Sequence, residues 1–119
     1  MLIFIVSQFT FAGYDIHITK KEHWTDENDI CINKADWKKY LEIDSSIQVD
    51  HDNSEGSYLV YINNDEYAMW IDYKGCDLMT KNPNTEFLNK LIEISKALDA
   101  KVQGDEGEVY ITSDQLIYP

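Results

Sequence analysis

The chain has no arginine: all ten of its basic residues are lysines, set against 22 acids for a formal net charge of -12. The missing guanidinium removes the planar fork that clamps phosphates and carboxylates, which argues against phosphoryl-transfer chemistry. The net charge repels phosphate backbones, so nucleic acid is not an expected partner. Proline and cysteine are scarce at two each, which excludes a low-complexity linker and a secreted disulfide framework. Cys31 and Cys76 form no CxxC motif. Reduced thiols in a cytoplasm are the simplest reading, with one disulfide between them left open. Long hydrophobic runs are missing too. "MLIFIV" at Met1 to Val6 has no basic flank and is shorter than a signal-peptide core or a membrane span. A buried strand is expected there, with Gly13 as the break after it.

What is present suits a packed core. Hydrophobic residues make up 44% of 119 residues and aromatics 13%, enough for one domain, with residues 1–13 as an extra strand or extension. "YDIHIT" alternates, with Tyr14, Ile16 and Ile18 on one side and Asp15, His17 and Thr19 on the other, the pattern of a half-buried strand. "KKEHWTDENDI" reads as a loop with Trp24 tucked under it. Asn33 is placed to cap a short helix, Asp36 lies near the capping-box position, and Trp37, Tyr40, Leu41 and Asp44 line one face. Ser45 to Ser57 reads as a loop or long turn. Tyr58 to Thr80 reads as a three-stranded meander with turns near Asn63–Asp65 and Gly75. Pro83 and Asn84 open the main helix, whose stripe is Phe87, Leu91, Ile94 and Leu98, flanked by Leu88 and Ile92. Glu86 and Lys90 are spaced to pair on it. "AKVQGDEGEVYIT" closes as a hairpin around Gly104–Gly107. The expected class is α+β, an antiparallel sheet with two helices packed on it.

"DHDNSEG" places Asp50, Asp52 and Ser54 at alternate positions, but Gly56 falls one place late and Tyr61 stands where a calcium loop needs an acid. His17, His23 and His51 are scattered, with no zinc spacing. His17, beside Asp15, reads as a histidine bonded to an acid or carbonyl, and catalysis or metal binding through that pair is the sharper alternative. Cys31 between two isoleucines reads as core, and Cys76 after a glycine as exposed. "DYK" at Asp72 to Lys74, with Asp65 upstream, resembles the acid-x-lysine half of a metal-dependent nuclease site. The tripeptide is common by chance, and the charge of the chain would repel the substrate. Neither a phosphate cradle nor a lipidation motif is present, and acidity disfavours an anionic membrane surface. No catalytic residue, metal or cofactor is therefore expected.

The remaining signal is surface charge. Acids gather in three loops: Asp26, Glu27 and Asp29; Asp50, Asp52 and Glu55; Asp105, Glu106 and Glu108. With Trp24 as an aromatic anchor, these ten residues form the candidate contact set for a basic protein partner, the charges steering it and the ring supplying buried area. The plain alternative is that charged loops are solvated for solubility.

"YDIHIT", Trp24, "ADWKKYLEID", "WIDYKG", "KNP" and "ALDAKVQGDEGEVY" together resemble a family of small acidic bacterial proteins. Its members carry a YDI-x-I-T opening, a W-x-x-Y helix and a closing A-x-VQGD-[DE]-GE-x-Y. The likeness runs from Tyr14 to Tyr110, and Met1 to Gly13 depart from it. The family is similar in size and charge to immunity proteins of contact-dependent inhibition and other polymorphic toxin systems. The resemblance implies a cytoplasmic, non-enzymatic protein that neutralises a cationic toxin domain, most simply the C-terminal piece of a larger toxin. It also implies a shared task for the acids of "QGDEGE", either within the turn or against a partner. The alternatives from other classes are a small metal-dependent enzyme and a general interaction or regulatory module, the latter a homodimer through an open sheet edge.

Overall fold

A computed structural model describes residues 2–5, 14–62 and 68–119. The elements run β1 (Leu2–Ile5), β2 (Asp15–Thr19), α1 (Lys34–Ile43), β3 (Ile47–Val49), β4 (Ser57–Tyr61), β5 (Ala68–Lys74), β6 (Asp77–Lys81), α2 (Thr85–Ala97), β7 (Lys101–Gly104), β8 (Val109–Thr112) and β9 (Gln115–Tyr118). The strands form one sheet in the order β1-β9-β8-β7-β2-β6-β5-β4-β3, and every pairing is antiparallel. The fold is α+β, as the sequence pattern predicts. No helix among the described residues is long and apolar enough to cross a membrane.

Both helices begin where a side chain can satisfy an orphan backbone N–H. Asn33 accepts from the Asp36 amide, and Asn84 accepts from the Phe87 amide, each at 2.8 Å. The α2 stripe is buried in full, with Phe87, Leu88, Leu91, Ile92, Ile94 and Leu98 all in the core. Trp37 and Tyr40 of α1 join the same cluster, together with Ile16 and Ile18 of β2 and Val102 of β7. Shared membership of one cluster puts both helices on one face of the sheet. Trp37 meets Tyr58 of β4 edge to face, with centroids 5.3 Å apart.

The expected Glu86–Lys90 pair does not form. Lys90 Nζ instead lies 2.7 Å from Asp44 Oδ2 and 2.7 Å from Glu93 Oε2, tying α2 to the end of α1. Burial pushes the Asp44 carboxyl up, but hydrogen bonds from Lys90, Ser46 and Tyr40 outweigh it and hold its pKa at about 2.

Three sequence expectations need correction. Ser45 to Ser57 is not all loop, because β3 lies within it as the edge strand beside β4. A further strand, β9, follows the closing hairpin and carries β1 at the other edge. The cysteines are not reduced thiols: Cys31 and Cys76 form a disulfide, with Cα atoms 4.6 Å apart. Such bonds persist in oxidising surroundings. Met1, Val6, Gly13 and the Asn63–Asp65 turn lie outside the described residues.

The disulfide links positions separated by 45 residues, joining the loop before α1 to the β5–β6 turn. A bridge closing a loop of this length is worth about 2–4 kcal/mol. Urea unfolding with and without reductant should show a loss of that size. An unchanged midpoint would mean that the neighbouring hydrogen bonds alone fix the loop.

Candidate functional site

The site is built on the face of the sheet away from the helices. Alternation along β2 turns Ile16 and Ile18 into the core and leaves Asp15, His17 and Thr19 on the opposite side. The sequence predicts that this side is open to solvent. It is not: His17 is 6% exposed and Thr19 0%. The segment after Thr19 folds back over them and places Trp24 on His17, the two rings stacked 4.0 Å apart and 9° from parallel.

A buried glutamine holds that segment down. Gln103 of β7 is fully buried and pairs directly with His17 across the ladder. Its Oε1 accepts from the Trp24 backbone amide at 2.7 Å, and its Nε2 donates to the Glu22 and Gly107 carbonyls, each at 3.1 Å. One amide thus joins the loop to the β7–β8 turn. The Trp24 indole N–H donates to the Asp105 carbonyl at 3.2 Å. Gly107 has φ +89°, and a Cβ there would meet the His23 ring at 2.9 Å, so this position requires glycine on both counts.

The turn acids "GDEGE" divide into different tasks. Asp105 points back over β2: Oδ1 lies 3.1 Å from His17 Nε2, and Oδ2 accepts from the Asp15 backbone amide at 3.0 Å. Glu106 is exposed. Glu108 is 2% exposed and accepts from the Tyr14 hydroxyl through Oε1, while Oε2 is buried with no hydrogen-bond partner. Gly104 leaves the room for it, since a Cβ there would collide with the Glu108 carboxylate and the Tyr14 hydroxyl. Burial pushes the Glu108 carboxyl above its ordinary value.

Two members of the expected contact set are therefore corrected. Glu108 is interior, its side chain needed to fill the space beside Gly104. Asp50 is also buried, its carboxylate folded into its own turn, where it accepts from the Asp52 amide and from Asn53 Nδ2. Asp26 is engaged locally, accepting from the His23 amide at 3.1 Å. Trp24 is half-buried over His17. Glu27, Asp29, Asp52, Glu55 and Glu106 are exposed. The pairing register sets the Asp50–Glu55 turn and the Asp105–Glu108 turn at opposite ends of the sheet, with four strands between β4 and β8. The three acidic loops do not form one surface. The backbone at Glu22 and at Asp105 and Gly107, on either side of Glu106, is brought together at Gln103 and Trp24, and Glu22 is an exposed acid of that loop that the sequence reading omitted.

One arrangement could not be read from the sequence. Asp15, His17 and Asp105 each place a ligand-type atom within 4.8 Å of the others, and among the described residues no other three His, Cys, Asp or Glu do so. Lys81 Nζ approaches Asp15 Oδ1 at 3.4 Å. Asp77 lies on the same face, its carboxyl pushed up by burial and held back by Thr19, Lys21 and His17. Such a group can hold a cation or orient an imidazole. Asp72 and Lys74 of the "DYK" pattern lie on β5 outside this group. Comparison with protein families, with curated proteins and with solved structures finds no match to this chain.

The raised Glu108 pKa has a sign that can be checked. The folded chain holds this proton above the ordinary value of 4.5, so the stability from the neutral carboxyl is complete below that pH. It is lost as pH rises through the folded value. Glu108→Gln removes the titration while keeping the shape. Denaturation curves should show the variant gaining stability over the wild type as pH rises from 4.5 toward neutrality, and parallel pH profiles would refute a neutral Glu108.

Proposed function

We propose that this chain is a binding protein of the immunity type, which captures a basic protein partner on an acidic, tryptophan-centred surface. The observation that carries the reading is the shared tether of Gln103, which brings the Glu22 carbonyl and the Gly107 carbonyl onto one amide. It joins the backbone of the loop at Glu22 to that of the turn at Gly107, next to Glu106, with Trp24 two residues after Glu22 and Glu27 three residues further along the loop. All three glutamates are exposed, and among the described residues none of their carboxylates is in a salt bridge, although the Lys101 ammonium donates to the Glu22 backbone carbonyl at 2.9 Å. Exposed acids make the local potential more negative, which accelerates encounter with a cationic surface. The half-buried indole, held at both its backbone and its ring N–H, adds contact area with little entropy left to lose.

The resemblance to small acidic immunity-like proteins supports the same reading. In it the chain contributes no catalytic group, and the acids take the place of the phosphates that a cationic toxin domain would otherwise meet. The rigid attachment of the loop favours a preformed surface, with small backbone shifts on binding.

The test is a pull-down from the source lysate at low salt, eluted with a salt gradient, followed by kinetics on the captured protein. The triple change Glu22→Gln, Glu27→Gln and Glu106→Gln should slow association about 10-fold at low salt and flatten its salt dependence, leaving dissociation nearly unchanged. A basic protein released only at high salt, with that kinetic signature, is the expected result. Capture of no basic protein would overturn the reading, and unchanged association would remove this surface from it.

A further inference from the structure

We propose that Asp15, His17 and Asp105 form a binding site for a single divalent transition-metal ion, zinc by donor chemistry. Its three ligands are not among the glutamates of the acidic contact surface, and although Trp24 borders both, zinc binding and partner capture are measured separately, so either can fail without the other.

Four observations carry it. First, the central donor is an imidazole that is itself nine-tenths buried, at 6% exposure. Its Nε2 faces a carboxylate oxygen 3.1 Å away, a hydrogen-bond distance that needs to open only to about 3.4 Å for both atoms to stand about 2.1 Å from one tetrahedral ion. Second, the imidazole plane is fixed by the Trp24 stack before any ion arrives, and a fixed ring orientation is what ligating histidines ordinarily obtain from their surroundings. Third, Asp105 has the divided hydrogen bonding of a metal-ligating carboxylate: Oδ2 is held by the Asp15 backbone amide, which aims Oδ1 at the site. Fourth, Asp15 Oδ1 is buried with no hydrogen-bond donor. Its nearest cation is the half-exposed Lys81 ammonium at 3.4 Å.

Charge favours occupancy. Two carboxylates within ligand distance of each other repel. A dication relieves this repulsion better than one lysine on a flexible stem. The choice of metal follows from the donors. One nitrogen and two carboxylate oxygens suit zinc and its transition-metal neighbours, whereas magnesium and calcium prefer oxygen alone. The cysteines do not compete for the ion, because they are bonded to each other.

The test is calorimetric titration of the oxidised full-length chain with zinc chloride in a non-chelating buffer, with magnesium chloride as the comparison. One zinc per chain in the micromolar range is expected, with no comparable response to magnesium. Asp105→Asn keeps the size of the side chain and removes its charge, and the affinity should fall at least 10-fold. Lys81→Met removes the competing cation from a half-exposed position with no threat to the core, and the affinity should rise several-fold. The Trp24 indole N–H resonance should move with occupancy, because that ring stacks on His17. If Asp105→Asn does not fold, the Lys81→Met titration and the indole resonance still decide. No saturable zinc binding, equal binding of magnesium, or an affinity that Lys81→Met leaves unchanged would overturn the proposal.

Discussion

The side-chain amide of Gln103 is the contact on which the outer face depends. It lies in the middle of the sheet, fully buried, and three of its four hydrogen-bonding positions are used on backbone groups from two separate segments. A buried amide is costly unless it is paired, so the loop after β2 and the turn after β7 stabilise the glutamine as much as it stabilises them. Everything distinctive about the outer face follows from that exchange. Trp24 is held over His17, Asp105 is brought back onto β2, and the central strand becomes buried on both sides.

The elements legible in the sequence are those whose signals are local. Both helices announce themselves by an asparagine cap followed by an apolar stripe. The meander from β4 to β6 is marked by Gly75 and by alternating aromatics. What escapes is either short or distant. β3 spans three residues and β9 four, too few for alternation to be distinguished from chance. His17 and Asp105 are separated by 88 positions, and no local pattern predicts their meeting. The burial of His17 and Thr19 depends on what folds over them, which strand periodicity does not encode.

The acids show the same division. Their number is plain in the sequence, but their tasks are not. Asp44 is fixed as a charged group by Lys90, Asp50 closes its own turn, Asp105 orients His17, and Glu108 fills the core beside Gly104. These four have structural duties that a count of charges cannot reveal. Glu22, Glu27 and Glu106 lie exposed to water. The segment "QGDEGE" is thus a composite, in which glycines make room, one acid turns inward, one orients a histidine and one stays exposed to water.

The strand order has a consequence for how quickly the chain reaches its native state. β2 is early in the sequence yet central in the sheet, and its two neighbours, β6 and β7, come from the far side of the meander and of α2. The meander and α2 can assemble from nearby residues, but β2 cannot find both partners until most of the chain is in place. Closing such long loops before the contacts reward them slows folding. During synthesis the apolar side of β2 must wait unpaired while β7 is still being made. The slowest step is therefore expected to be insertion of this strand, after which the outer loop, its tryptophan and the buried glutamine can lock together.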